Sequence, residues 1–435
     1  MGLSNYIFLL VFLFSILLFI RNLRRIISNI KLGRDINRHD SPLDRWKNMF
    51  RVALGQSKMT RRPIAGILHI IIYIGFVIIN IEMIEIIIDG LTGSHRALSY
   101  ILPLGFYNFL IASFEILALL VLLACVIFLI RRNVIRLKRF WSKEMTAWPK
   151  TDANLILIFE ILLMLAFLFM DSADMMIQMN NNDQFVGSFP VSQFLTPIIS
   201  SLNISQLHFL ERFCWWFHII GVLAFMNYVL ISKHLHIFFA FPSTYFANLN
   251  PLGQFSNLDS VTSEVKLMMD PNANPYAVPS NDTEATQTFG AKDANDLNWV
   301  QLLNAYSCTE CGRCTSNCPA NQTGKLLSPR KILMDTRRRI TEIGNNIRSG
   351  MNDNKSLLGD YIKNEELWAC TSCNACTDSC PIELDPLSII LDMRRYLVME
   401  KSAAPTELNM MFTNVENNGA PWQFSASDRL NWKDE

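Results

Sequence analysis

Charge is what this sequence has least of. Only 18% of its 435 residues are Asp, Glu, Lys or Arg, against 50% hydrophobic ones, and the formal net charge is +1. A balance so close to neutral points to no nucleic acid and to no acidic or basic partner surface. The side-chain arrangements of common enzymes are also missing. There is no paired nucleophile and base, no Gly-rich phosphate loop and no flavin fingerprint, so a substrate-converting site is expected on a partner. No DNA-binding or kinase module is present, which counts against a redox sensor. No strand-like run of any length occurs, and nothing repeats except one cysteine motif.

What fills the space is apolar. Five runs, at 6–20, 64–88, 106–130, 155–170 and 214–241, read as membrane-crossing helices. The first is not a cleaved leader, because Arg21, Arg24 and Arg25 follow the apolar run instead of preceding it. Basic residues are unevenly shared among the loops. Twelve Lys and Arg lie between runs one and two and seven between runs three and four, but only Arg96 follows run two and only Arg212 follows run four. By the positive-inside rule the N-terminus faces out, the chain is a multi-pass protein of the cytoplasmic (inner) membrane, and everything after run five is cytoplasmic.

Residues 243–298 change character, with Asn-Pro at 250 and 274 and Pro-Asn at 271, and read as a linker. From Trp299 to Lys401 the pattern is helical, with Pro329 opening one run and Pro386 another. The expected fold is therefore all-α. Residues 1–242 form a five-span cytochrome b-like membrane domain, 243–298 a linker, 299–401 an α-helical ferredoxin domain and 402–435 a docking tail. That tail carries Met410, Met411, Phe412, Trp422, Phe424 and Trp432, which are large side chains for a free end.

Eight of the ten cysteines stand in two copies of C-x2-C-x2-C-x3-C-P: Cys308, Cys311, Cys314 and Cys318 before Pro319, and Cys370, Cys373, Cys376 and Cys380 before Pro381. Two-residue gaps let three thiolates reach three irons of one cubane, and in two-cluster ferredoxins the fourth cysteine serves the other cluster. The spacing predicts two [4Fe–4S] clusters, one on Cys308, Cys311, Cys314 and Cys380, the other on Cys370, Cys373, Cys376 and Cys318. Zinc sites use two separate CxxC pairs instead. A purely structural role for the clusters, in a membrane adaptor, is the competing reading.

Ionisable residues inside a span are costly and mark function. His69 lies near the cytoplasmic start of the second run. His218 and His236 lie eighteen residues apart in the fifth, five turns on one helical face, with His234 on nearly the opposite face. Depth and facing make His69 and His236 the pair for one haem b, near the cytoplasmic surface and the clusters. His218 lacks a partner: ten residues past His69 stands Ile79, and His95 or His208 would have to substitute. Glu82, Glu85, Asp89, Asp171 and Asp174 at the outer ends of spans read either as interfacial solvation or as a proton relay to a quinone.

These residues resemble known families. Spans two and five resemble the gamma subunit of respiratory nitrate reductase and the membrane subunit of heterodisulfide reductase. The resemblance assigns inner haem ligation to His69 and to His236 of Ser232-Lys233-His234-Leu235-His236, and outer ligation to His218. From Trp299 to about Trp432 the chain is similar to the C subunit of heterodisulfide reductase, on Cys308-Thr-Glu-Cys-Gly-Arg-Cys314 and Asp392-Met393-Arg394-Arg395-Tyr396. Larger relatives fuse both modules to a CCG domain, and no Cys-Cys-Gly occurs here. The resemblance implies a quinone-linked oxidoreductase subunit. Its partners would be a separate CCG-domain iron–sulfur subunit and possible donors such as an electron-transfer flavoprotein or dehydrogenase.

Overall fold

The computed structural model describes residues 2–181, 185–271 and 288–434. Among these the chain is helical, with β pairing confined to isolated bridges at Arg34–Asn298 and Leu358–Ile362. The turn signal at Asn274-Pro275 lies outside the described residues.

Five helices are long and apolar enough to cross a membrane: α1 (Leu3–Ile30), α2 (Pro63–Thr92), α3 (Leu104–Asn133), α4 (Trp148–Asn181) and α5 (Ile204–Val229). α1 to α4 each extend beyond their apolar stretch, and two of the five start on recognisable signals. Pro63 opens α2, and Asn203 caps α5 by accepting from the Gln206 N–H at 3.0 Å. α4 and α5 share the most extensive packing, α3 lies against α2 and α4, and α1 against α2 and α5. Leu10, Phe14 and Phe209 stay about 70% exposed on the outside of the bundle, where only an apolar surrounding suits them.

The fifth apolar run is not one helix. α5 ends at Val229, and α6 (His236–Tyr245) begins after a turn and one 3₁₀ turn at Lys233–Leu235. Polar groups break the run. The Ser232 hydroxyl accepts from the His234 N–H at 3.1 Å, and Asp152 of α4 accepts from the Lys233 N–H at 3.1 Å. The five-turn phase relation between His218 and His236 therefore does not hold, and His234 does not face away from His236: their ring centres are 5.4 Å apart.

The cysteine region follows as α7 (Trp299–Ser307), α8 (Arg313–Asn317), α9 (Pro329–Ser349), α10 (Ala375–Ser379) and α11 (Pro386–Arg395). Part of the stretch read as linker belongs to this core: Ala291, Ala294 and Leu297 are fully buried in it. Ile26 and Ile30 of α1, Leu235 and Phe239 are buried there too. α1 thus runs out of the bundle and into the cysteine region. There the buried Asn29 amide donates to Tyr306 Oη at 2.8 Å, and Arg348 donates to Asn29 Oδ1 at 3.0 Å. The chain beyond carries α12 (Thr406–Asn418), whose Phe412 stays exposed, as do Trp422 and Trp432 further on.

α9 meets α1 at Gly344, where a Cβ would run into the Asn29 side-chain oxygen. Gly344→Val is expected to cost about 1–3 kcal/mol through overpacking. Thermal unfolding of the detergent-solubilised protein should show a lowered midpoint; an unchanged midpoint contradicts this packing.

Candidate functional site

The two cysteine motifs have the same backbone. Glu310 and Ser372 take left-handed conformations (φ 56° and 55°), as do Gly312 (φ 70°) and Asn374 (φ 59°). Gly and Asn adopt that conformation at low cost, and they sit at the same step of each motif. These turns wrap the first three cysteines around a common point. A five-residue helix then carries the chain to an extended fourth cysteine before proline, at ψ 119° for Cys318 and 125° for Cys380.

α8 and α10 pack against one another, so each fourth cysteine crosses to the other motif. One cavity is lined by Cys308, Cys311, Cys314, Cys380 and also Cys376. On the other side Cys370 has Cys318, Cys373 and Cys376 as its sulfur neighbours. Among the described residues no three His, Cys, Asp or Glu side chains converge closely enough to hold a single ion. Four donors around one zinc would have to converge to about 2 Å from a point; a cubane spreads its thiolates over a wider cage. Burial pushes the thiol of Cys308 up to about 11 and those of Cys376 and Cys380 to about 12. Metal binding must therefore displace firmly held protons. Cys373 is exposed, whereas Cys308, Cys318 and Cys376 are buried. We call the Cys308 set the bundle-side site and the Cys370 set the solvent-side site.

A second cavity, ≈ 240 Å³, lies where the bundle meets the bundle-side site. His69, His234 and His236 line it, and so does Cys311. Its walls are largely apolar, from Met59, Phe128, Leu157 and Ile382, with Arg132, Arg139, Lys233, Glu310 and Arg313 among the charged groups at its lining. The rings of His69 and His236 stand 6.3 Å apart, centre to centre. That separation leaves room for one metal ion between the two rings, so His69 and His236 are the residues that would hold a group binding through both. His236 Nδ1 lies 3.2 Å from the Lys233 carbonyl, an arrangement that presents Nε2 as the ligand. His69 Nδ1 and His234 Nδ1 are buried without partners.

His218 is buried elsewhere, with Nδ1 3.1 Å from the Leu163 carbonyl and Phe167 as its ring neighbour. The histidines considered as its partner, His95 and His208, line another cavity together, and His218 is not in that lining. His95 instead lies 3.0 Å from Asp174 and 3.4 Å from Arg212, and Ile79 packs in the apolar core.

The carboxylates at that end of the bundle are not solvated. Glu82, Glu85, Asp171 and Asp174 are all at most 5% exposed. Arg96, a loop cation whose importance no local pattern signals, donates to Asp174 at 2.7 Å, to Asp171 at 3.0 Å and to Tyr107 Oη at 3.2 Å. Tyr107 in turn donates to Glu85 at 3.1 Å. Arg139, Arg313 and Glu310, beside the bundle-side site, also went unmarked by sequence pattern, although Glu310 and Arg313 stand inside the first motif.

With this geometry in hand, the likenesses are informative. Residues 307–384 match the 4Fe-4S dicluster domain family. Over 99% of the chain, 28% of positions are identical to the "Probable iron-sulfur-binding oxidoreductase FadF" of Bacillus subtilis, 60% of which is covered. The "EtfAB:quinone oxidoreductase" of Syntrophomonas wolfei is 27% identical over 92% of the chain and 55% of its own length. The C subunit of the "Ferredoxin/F(420)H(2)-dependent CoB-CoM heterodisulfide reductase" of Methanosarcina acetivorans is 33% identical over 24% of the chain and 52% of its own length. The chain spans about 60% or less of the curated relatives it matches along its whole length. No solved structure matches it significantly. These relatives are iron–sulfur oxidoreductases and heterodisulfide reductase C-like ferredoxins.

The crossed fourth cysteines can be tested directly. Cys318→Ser should damage the solvent-side cluster and spare the bundle-side one, as read by iron content and by electron paramagnetic resonance (EPR) of the reduced protein. Selective loss of the bundle-side signal contradicts the crossing.

Proposed function

We propose that the chain is the electron-transfer subunit of a membrane oxidoreductase, joining a soluble redox partner to a membrane quinone through two [4Fe–4S] clusters and one haem b. The observation that carries this reading is the cavity shared by His69, His236 and Cys311. It supports a haem axial pair next to the bundle-side cluster, with the solvent-side cluster beyond. When bound, these groups accept and release single electrons; the chain supplies spacing, orientation and electrostatics. His69 and His236 hold the iron, and the Lys233 carbonyl orients His236. The exposed Cys373 marks the side at which a soluble partner exchanges electrons. His218 offers one ligand without a second, so one haem is proposed.

The name of the Syntrophomonas relative couples EtfAB to quinone, which supports an electron-transfer flavoprotein and a quinone as exchange partners here. The exposed Phe412, Trp422 and Trp432 suit the core of an interface with a CCG-domain iron–sulfur subunit. The positive-inside distribution supports a cytoplasmic cysteine domain.

The purified chain should give haem b in a pyridine haemochrome assay, about one per chain, reducible by a quinol analogue. His69→Ala and His236→Ala should each abolish it, while His218→Ala and His234→Ala leave the low-spin spectrum in place. Retention of haem in both His69→Ala and His236→Ala contradicts the assignment, and loss in His234→Ala alone reassigns the ligand.

A further inference from the structure

The two cluster sites differ in uncompensated charge. Near the bundle-side site stand several cations, and some are neutralised. Arg330 pairs with Glu144 at 2.7 Å, Lys233 with Glu310 at 2.8 Å, and Arg337 also with Glu310. Others bond neutral groups, Arg62 the Ser316 hydroxyl and Arg132 the Asn154 side chain, and two more such cations stand with Cys311 in one cavity lining. Arg313, inside the motif and 5% exposed, donates only to neutral groups, the Lys58 and Met59 carbonyls and the Met59 sulfur, at 3.2–3.4 Å. Arg139 lies over the Phe140 ring, and its Nε is buried without a partner. Both line the cavity that Cys311 lines. Arg139 is also held in place: its carbonyl accepts from the buried Arg330 at 2.8 Å.

At the solvent-side site the balance is different. Arg394 bonds the Cys370 carbonyl and, at 3.3 Å, the Ser372 hydroxyl. Asp385 opposes it, acting on Cys376 and accepting from Thr377 at 3.1 Å. Asp378 is already paired with Arg61 at 2.9 Å. Arg394 too has only neutral hydrogen-bond partners, but it is a single cation, the Asp385 carboxylate stands on the same site, and the exposure of Cys373 adds water to screen both.

A cluster with four thiolates is an anion that becomes more negative on reduction. Burial alone disfavours the added electron, so the bundle-side site would be the harder one to reduce. A nearby uncompensated cation acts the other way, and in a poorly screened site its effect is large. We propose that Arg139 and Arg313 raise the reduction potential of the bundle-side cluster above that of the solvent-side cluster, giving the pair a built-in preference for moving electrons toward the bundle. The step is a one-electron exchange: the reduced solvent-side cluster, loaded by a soluble reductant, is oxidised and the bundle-side cluster is reduced. No bond forms or breaks. The inference rests on the two-cluster reading and adds a direction to it.

The test is an EPR-monitored redox titration of the full-length chain in detergent, with the two signals assigned through Cys318→Ser. In the wild type the bundle-side cluster should be reduced first as the potential is lowered. Arg139→Gln and Arg313→Gln should each shift that midpoint downward and leave the other in place, while Arg139→Lys, which keeps the charge, should restore most of it. Earlier reduction of the solvent-side cluster in the wild type overturns the proposal, even if a variant fails to fold. Unshifted midpoints in both glutamine variants overturn it as well. A wild type with fewer than two cubanes defeats the two-cluster reading itself.

Discussion

The cysteine region and the helical bundle share one hydrophobic core, and everything else depends on it. Ile26 and Ile30 reach that core from the end of α1, and Leu235 and Phe239 enter it from the turn after α5. The buried Asn29–Tyr306 hydrogen bond pins the same junction. A ferredoxin domain on a flexible tether would hold its clusters at a varying distance from the bundle. Here Cys311, His69 and His236 line one cavity, and a packed interior cannot drift apart by ångströms without losing its contacts.

Charge is used sparingly, and much of what is buried is paired. At the far end of the bundle Arg96 serves Asp171 and Asp174 together. Removing one member of such a group would leave a bare charge among apolar helices, at a cost of several kcal/mol. Beside the bundle-side site the pattern reverses, because Arg139 and Arg313 have only neutral partners. Protein interiors rarely tolerate this, and an anionic cluster on Cys311 is the compensation the arrangement calls for.

How much of this could be read from the residues follows from the range of the interactions. The cysteine motif is local, so its spacing already suggested a tight loop for three thiolates and a fourth that points to the other copy, but not the five-residue helix between them. Gly312 and Asn374 tolerate the left-handed conformation they adopt, whereas Glu310 and Ser372 adopt it without favouring it. The five long helices were legible from hydropathy, and depth alone suggested that His69 and His236 meet. The break after Val229 was not legible, because Asp152, eighty residues away, takes the Lys233 N–H. Arg96 looked like an isolated loop charge for the same reason: its partners lie on α4 and are adjacent only in the folded chain.

The central claim is an order in space: solvent-side cluster, bundle-side cluster, histidine pair. A cryo-electron microscopy map of the purified chain with its cofactors tests it most directly. The account predicts one cubane on Cys308, Cys311, Cys314 and Cys380, and planar density between His69 and His236 on the bundle side of it. The second cubane, on Cys370, Cys373, Cys376 and Cys318, should lie farther from those histidines. A map with the Cys370 cubane nearer the histidines, or with no density between His69 and His236, would contradict it.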